Sequence, residues 1–562
     1  MTDYYTYNQS MESQKQEFLF ENRQYLNVTD NSGGTYPNGS ITWDCAAISN
    51  SDRLIDWSQS FVQIPLVVQF GPLPLVADGN SNDAFAVCMK NHCHLIDSMS
   101  IQLSNYDTAN LTSMSNLDIN YKILSEWDYN TLETLGPSVG YYKDSAAGIR
   151  YQGAAGTMGV GETNNYPVMA GFNGGLRYLD QSYNRCNEAR VKRMNDTSFN
   201  LIDNPYVIAE ADLGESSKNY YKVLTTGAGI NYLTYYVMAT IPLKQIHDVF
   251  QKLPLCRGSF LKLTLNTNAN SSVDIAINAA GTALSYSNPT TVHGVFPVQL
   301  SPIDEGLINP AAAVTAKLTC AIGKGALTGA THPTFSQTRL YACSYVLAPS
   351  RQEEYLAQNA IKKVVYEDRM YSTILNIVPG GALNKIINQG ISRIKSVLIV
   401  PMMSASTHGA TAPNLLNTTG GAALGSVMTS PFSSAPSTTL PYVNVQQFNV
   451  LLSGNSHYQQ NINYGWEQFL YEARSQSLNG GMSEMLSSGL LNAKDYWAGY
   501  GFIYVDFTRK ASQGVDNVSK SVEIIGTNNT SCVVDYHCLI TYYRDLSINC
   551  STGQLVFNEQ AV

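Results

Sequence analysis

From residue 41 onward the chain reads as short apolar or alternating runs divided by Gly, Asn, Pro and Ser, the pattern expected of strands in a β-sandwich. Leu261, Leu263 and Leu265 alternate with Lys262 and Thr264; near the end Val534, Tyr536, Cys538, Ile540 and Tyr542 alternate with Asp535, His537 and Thr541. Period 2 places each set on one face of a strand. Residues 61–70 form a nearly continuous apolar run. Helical spacing is rare. It is predicted over 243–253, where Ile246, Val249, Phe250 and Leu253 share a face and Pro254 ends the run, over 351–363 behind Pro349, and over 466–475.

Residues 1–38 are polar and turn-rich with no sustained period, and are expected to be an arm that orders against something else. Two long inserts interrupt the strand text. Residues 130–200 are rich in glycine, and 404–440 are nearly free of charge. Loops of that length usually serve binding or assembly. The boundary between two halves is predicted at the 349–363 segment, and the layout of the third helix suggests that each half repeats one plan.

Composition changes the picture in one respect. The chain has 562 residues, 44% hydrophobic, ample for a packed core. Only 14% of its residues are charged, where an ordinary soluble domain carries about 25%. Much of the exterior is therefore expected to lie against other protein. The formal net charge of -9 argues against a chain that wraps nucleic acid, and the one basic knot, Arg185, Arg190, Lys192 and Arg193, reads as a solvated loop face. The start has no apolar signal core, and the longest apolar stretch, 64–77, is broken by Gln69, Gly71, Pro72 and Pro74, so no membrane-spanning segment is expected. The ten cysteines are accordingly read as reduced thiols, and sequons such as those at Asn27, Asn110 and Asn528 as by-products of composition.

Candidate chemistry is sparse. Gly323-Lys324-Gly325 lacks the upstream glycine and the hydroxyl residue of a phosphate-binding loop, and neither a Gly-x-Ser-x-Gly elbow nor a His-Glu-x-x-His helix occurs. Cys88, His92, Cys93 and His94 would put two imidazoles on one strand face, yet a tetrahedral metal needs a further matching cluster. Packed, hydrogen-bonded side chains at a strand end are the expectation. Cys532, Cys538 and Cys550 have no Cys-x-x-Cys spacing, and Cys538 falls on an apolar face. His537 with Asp535 lacks an assignable nucleophile, and Glu353-Glu354 and Glu367-Asp368 are adjacent and so face different ways. No catalytic, cofactor-binding or metal residue is assigned.

Several stretches carry a family likeness. They are 41–70 (ITWDCAAISNSDRLIDWSQSFVQIPLVVQF) and 235–268 (YYVMATIPLKQIHDVFQKLPLCRGSFLKLTLNTN), then 374–402 (ILNIVPGGALNKIINQGISRIKSVLIVPM) and 430–470, with its Pro-Phe, Phe-Asn-Val and Tyr-x-x-Glu-x-Phe-Leu elements, and last 504–555 with YVDFTRK, IIGTNNTS and LITYYRDLSINCSTGQL. In this order they resemble double jelly-roll major capsid proteins of virophages and polinton-like viruses, small eukaryotic double-stranded DNA viruses. The resemblance implies an all-β fold of two tandem jelly rolls with few short helices. It divides the chain into an arm at 1–38, a first jelly roll at 39–348 with an insertion at 130–200, a connector helix at 349–363, a second jelly roll at 364–555 with an insertion at 404–440, and a tail at 556–562. It further implies a non-enzymatic structural protein of the virion, without cofactor, assembled in the host cell. Its partners would be itself, as pseudo-hexameric homotrimers beside neighbouring trimers in an icosahedral shell, with penton and minor capsid proteins and non-specifically enclosed DNA. Strands would stand upright in the shell, long inserts would rise outward, and 36 tyrosines would suit the lateral contacts. A carbohydrate-binding or carbohydrate-cleaving β-sandwich stays open as the alternative; a trimeric fibre would show short repeats, which are absent.

Overall fold

The computed structural model describes residues 20–49, 51–73, 85–141, 143, 222–225, 231–258, 260–277, 284–291, 293–302, 313–326, 330–332, 335–358, 360–404, 431, 444–475, 489–493, 496–497, 500–508, 518–530 and 533–556. In the first half the strands are β1 (Phe20–Thr29), β2 (Ser40–Asp44), β3 (Leu54–Leu73), β4 (Phe85–Met89), β5 (Ile96–Leu103), β6 (Tyr106–Leu111), β7 (Lys222–Thr225), β8 (Asn231–Pro242), β9 (Leu261–Thr267), β10 (Ser271–Ile277), β11 (Leu284–Thr290), β12 (Val298–Pro302), β13 (Val314–Ile322) and β14 (Arg339–Leu347). The second half holds β15 (Ile361–Ile377), β16 (Ala382–Ile391), β17 (Ile394–Met403), β18 (Val445–Leu452), β19 (Asn455–Ser456), β20 (Ile462–Tyr464), β21 (Ile503–Asp506), β22 (Lys520–Asn528), β23 (Val534–Asn549) and β24 (Leu555–Val556).

Two jelly rolls account for most of these strands. In the first, β1-β14-β3-β8 form one sheet and β2-β9-β5-β6 the other. Counted along an eight-strand ribbon, these are positions 1-8-3-6 and 2-7-4-5, a ribbon folded double and wrapped into two facing sheets. The second repeats that order: β15-β23-β17-β21 and β16-β22-β18, with β19 and β20 sharing the fifth position. Even the turn between positions four and five repeats. Ser104-Asn105 and Ser453-Gly454 both take positive φ at their two central residues, the backbone of a two-residue hairpin. The fold is a double jelly roll, as the resemblance implied, and one plan does occur twice.

Connections alternate between the two ends of each roll. In both units the long ones fall at the same end: residues 74–95, 112–230 and 268–338 in the first, 404–444 and 465–502 in the second. The opposite end has the two-residue hairpins at 104–105 and 453–454, the 392–393 turn, and the shorter connections 45–53, 243–260 and 507–519. The rolls stand parallel, because like ends touch: Ser104 Oγ, in a short turn of the first, donates to Gly553 O beyond β23 at 2.9 Å, and Leu490 N, in a long connection of the second, donates to Leu124 O at 3.0 Å.

Three expectations need correction. The arm predicted for 1–38 does not extend that far, since Phe20–Thr29 is an edge strand paired with β14 over Asn22–Thr29. It was invisible because backbone pairing holds it while nearly all of its side chains stay exposed. The helix predicted over 243–253 is two short turns, Leu243–Ile246 and Val249–Lys252, broken at His247, whose backbone is extended. The connector helix is Pro349–Gln358, and Ile361 already begins β15. The helix over Trp466–Ser475 is present as expected. In β9, residues 261, 263 and 265 are buried as the alternation required, whereas the first half of β23 is buried on both faces.

Candidate functional site

Where the two rolls meet, charge is concentrated away from water. The first roll brings Asp118 from the Ser115–Glu126 helix, the strand β6 carbonyls, and His247 with Asp248 from the broken 243–253 segment; the second brings Tyr366, Glu367, Asp368 and Arg369 from β15 and Tyr542 with Arg544 from β23. Asp368, 2% exposed, accepts from Arg544 Nη1 at 2.9 Å, from Tyr542 Oη at 3.0 Å and from the Arg369 N–H at 2.8 Å, with His247 Nε2 at 3.4 Å. His247 Nδ1 accepts from Val249 N at 3.2 Å, so the ring proton lies on Nε2, toward the carboxylate. The break in the helix thus places this ring. Burial alone would raise the Asp368 carboxyl; His247 and Arg544, with the Arg369 N–H, outweigh it and hold the group below the usual carboxylate range.

Alongside, Arg369 Nε meets Asp118 Oδ1 at 2.5 Å, with both side chains 8% exposed. Burial opposes that cation, but Asp118, Glu367 and Asp248 keep it firmly charged. Arg544 also donates to Thr108 O at 2.7 Å, as does Tyr366 Oη at 2.6 Å, while Asp248 accepts from Glu367 N at 3.1 Å and so satisfies an edge N–H of β15. Glu367 itself pairs with Lys395. An aromatic contact flanks these charges: Tyr121 lies edge-on to Phe502 at 5.3 Å and stacked on Tyr504 at 5.7 Å. Buried charges paired in this way favour one relative placement of two bodies.

Among the described residues, those weighed in the sequence lie in separate surroundings. His92, Cys93 and His94 sit in a buried 3-10 turn, not on a strand face, and His92 is pushed down to about 4 by burial. Among the described residues no group of three His, Cys, Asp or Glu side chains gathers as a metal site. His537 pairs with Tyr371 Oη at 2.8 Å on β15 and is lowered to about 4 by burial, whereas Asp535 accepts from Asn376 N at 2.7 Å. Cys538 and Cys550 lie twelve positions apart on one strand run, about 40 Å, too far to bridge. Glu367 and Asp368 face different partners, as adjacency required. Cys532, the Cys88 side chain, the basic knot at 185–193 and nearly all of the 404–440 insert lie outside the described residues. The joint itself was missed. The Ser115–Glu126 helix is buried almost all round, so it lacks the one-sided period that would have announced it.

On the outer face of the first roll, a band of aromatic rings remains open. Phe20 and Tyr25 are 44% and 41% exposed; Phe20 packs on Tyr345 at 4.7 Å, Phe61 stacks on Tyr341 at 5.0 Å, and the Arg23 guanidinium sits over Tyr25 at 5.2 Å. Farther along that sheet Val67 and Tyr236 are covered by Ala330 of the chain's own loop. In the second roll Leu375, Val378 and Ile386 stand exposed on the β15–β16 hairpin. Among the described residues no helix is long and apolar enough to cross a membrane.

No protein-family model matches the chain, and no curated protein matches it. Among solved structures it is similar to that of the Sputnik virophage, at 11% identity over 97% of this chain and 90% of that one, with a TM-score of 0.48. It is also similar to the mavirus major capsid protein (10% identity, 98% and 94% covered, TM-score 0.41) and to the Faustovirus major capsid protein (10%, 95% and 92%, TM-score 0.43).

Proposed function

We propose that this chain is a non-enzymatic major capsid protein that assembles as a homotrimer and tiles an icosahedral viral shell around DNA. The observation that carries the reading is the repeated 1-8-3-6 and 2-7-4-5 topology in two parallel rolls, with the long connections at one common end. Three such chains in a ring present six similar uprights, so a three-fold block fills a six-neighbour lattice site. The buried charge at the joint suits this role, because a tile must keep its two uprights in one fixed relation. The low charged fraction and the exposed rings Phe20 and Tyr25 of β1 suit lateral burial against neighbouring copies. On this reading the long-connection end faces outward and the short-turn end faces the genome, which it confines without reading sequence. Penton and minor capsid proteins complete the shell.

The test is the native mass of the purified protein followed by negative-stain imaging. A particle near three chain masses with a hexagonal outline is expected. A stable monomer at micromolar concentration would sink the trimer reading and make glycan binding the next assay.

A further inference from the structure

The seam between the rolls also holds two thiols at the short-turn end. Cys256 lies between β8 and β9 of the first roll, and Cys550 directly follows β23 of the second; neither is in a disulfide and both are fully buried in the continuous core. Their backbones are tied. Arg257 N donates to the carbonyl of Cys550 itself at 2.9 Å, which with standard bond lengths bounds the Cα–Cα separation of the two cysteines at roughly 8 Å. Tyr355 Oη, from the connector helix, donates to Leu255 O at 2.9 Å, and Cys550 N donates to Ala360 O at 3.1 Å. Burial, then Cys550 and Cys256 in turn, push that phenol up to about 12, so both thiols act on one hydroxyl. A disulfide needs Cα atoms about 4.4–6.8 Å apart, a window that the bound allows.

We propose that Cys256 and Cys550 are a redox seam: free thiols in a reducing cytosol that close into a disulfide in an oxidising medium, locking the first roll to the second. The oxidant is a small-molecule disulfide such as glutathione disulfide. The Cys550 thiolate attacks one of its sulfurs, the S–S bond breaks, and one glutathione leaves as thiolate and takes up a proton. Cys256 loses its proton and attacks the mixed disulfide, releasing the second glutathione. Two protein thiols are oxidised and one glutathione disulfide is reduced. Cys550 is the entry point because the turn above it, Ser551 and Thr552, is exposed. Burial raises its thiol, against Lys362, so the thiolate is scarce and closure is slow at neutral pH. The bond would tie residues 294 positions apart, a large loop to remove from the unfolded chain.

The experiment incubates the full chain with glutathione disulfide and maps disulfides by mass spectrometry of a non-reduced digest. A Cys256–Cys550 linked peptide is expected, with a thermal midpoint raised by roughly 3–6 °C, reversed by dithiothreitol and absent in Cys550→Ser. Refolding in a glutathione redox buffer removes burial as an obstacle. If the pair is alkylated as free thiols after both treatments, or if Cys256 links instead to Cys343 on the neighbouring sheet, the assignment is overturned. The mapping is read on any oligomer, so its failure and the failure of the trimer reading are separate results.

Discussion

The space inside the second roll and the space between the two rolls are both shut off from water, yet they are filled with opposite chemistry. Inside, Ile374, Leu383, Ile399, Val445, Phe448 and Ile524 meet across the sheets and leave no room for a water molecule. Between the rolls, Asp118, Arg369, Asp368, His247 and Arg544 meet instead. An apolar interior is non-directional and tolerates small rearrangement as long as volume is kept. A hydrogen-bonded set of charges accepts one geometry and makes any other expensive. The sheets of each roll are held together by the first device, and the angle between the rolls is set by the second.

Breaking the dry interior should cost the most. Phe448→Ala removes a ring that packs on Tyr464 at 5.3 Å and leaves a cavity between the sheets, for an expected loss of about 3–5 kcal/mol in urea unfolding. Arg369→Met is expected to cost about 3 kcal/mol by stranding Asp118 as a buried charge. The sharper test is the double variant Arg369→Met with Asp118→Leu. Stability should return to near the parent, while small-angle scattering should show a broader distribution of roll-to-roll distances. A double variant as rigid as the parent would mean that the aromatic contact of Tyr121 with Phe502 and Tyr504 sets the angle alone.

The same division explains what could be read in the sequence. Alternation reports burial on one face of a strand, so β9 was legible, as was the overall jelly-roll plan through its family likeness, while the doubly buried first half of β23 was not. The joint draws one residue here and two there from β15, β23, the Ser115–Glu126 helix and the 243–253 segment, and no local period marks such a set. His247 shows the difficulty: its sequence neighbours have helical spacing, and the pull of Asp368 across the joint accompanies a break there instead. The edge strand β1 was lost for the opposite reason, because its partner β14 lies more than 300 positions away and its side chains face outward.

Acid separates the buried histidines from the joint carboxylate on a pH axis. His537, on the face of β23 opposite Tyr536, and His92, in the first roll, are lowered to about 4 by burial, so the unfolded chain binds their protons first as pH falls. Their contribution is full above the unfolded value near 6.5 and is lost between there and about 4. His537→Asn keeps an oxygen near Tyr371 and cannot titrate. It should flatten the unfolding free energy from urea titration over pH 6.5–4 by an amount on the order of 2–3 kcal/mol.

The joint should answer only at lower pH, and with the smallest effect. Asp368 is depressed in the folded chain, so its stabilisation is present above the ordinary carboxylate value and is lost as pH falls through the folded one. By then the two histidines have taken up their protons, and a second acid transition follows the first. Asp368→Asn should lower the neutral-pH midpoint, because the amide cannot balance Arg544, yet its curve should run flatter than the parent's below the range where His537 and His92 titrate. Intrinsic tryptophan fluorescence followed from pH 5 to 2, with scattering at each step, checks both halves of the statement. If the variant and the parent lose stability in parallel below pH 4, another carboxylate governs the joint, and Asp118 beside Arg369 is the first to exchange for Asn.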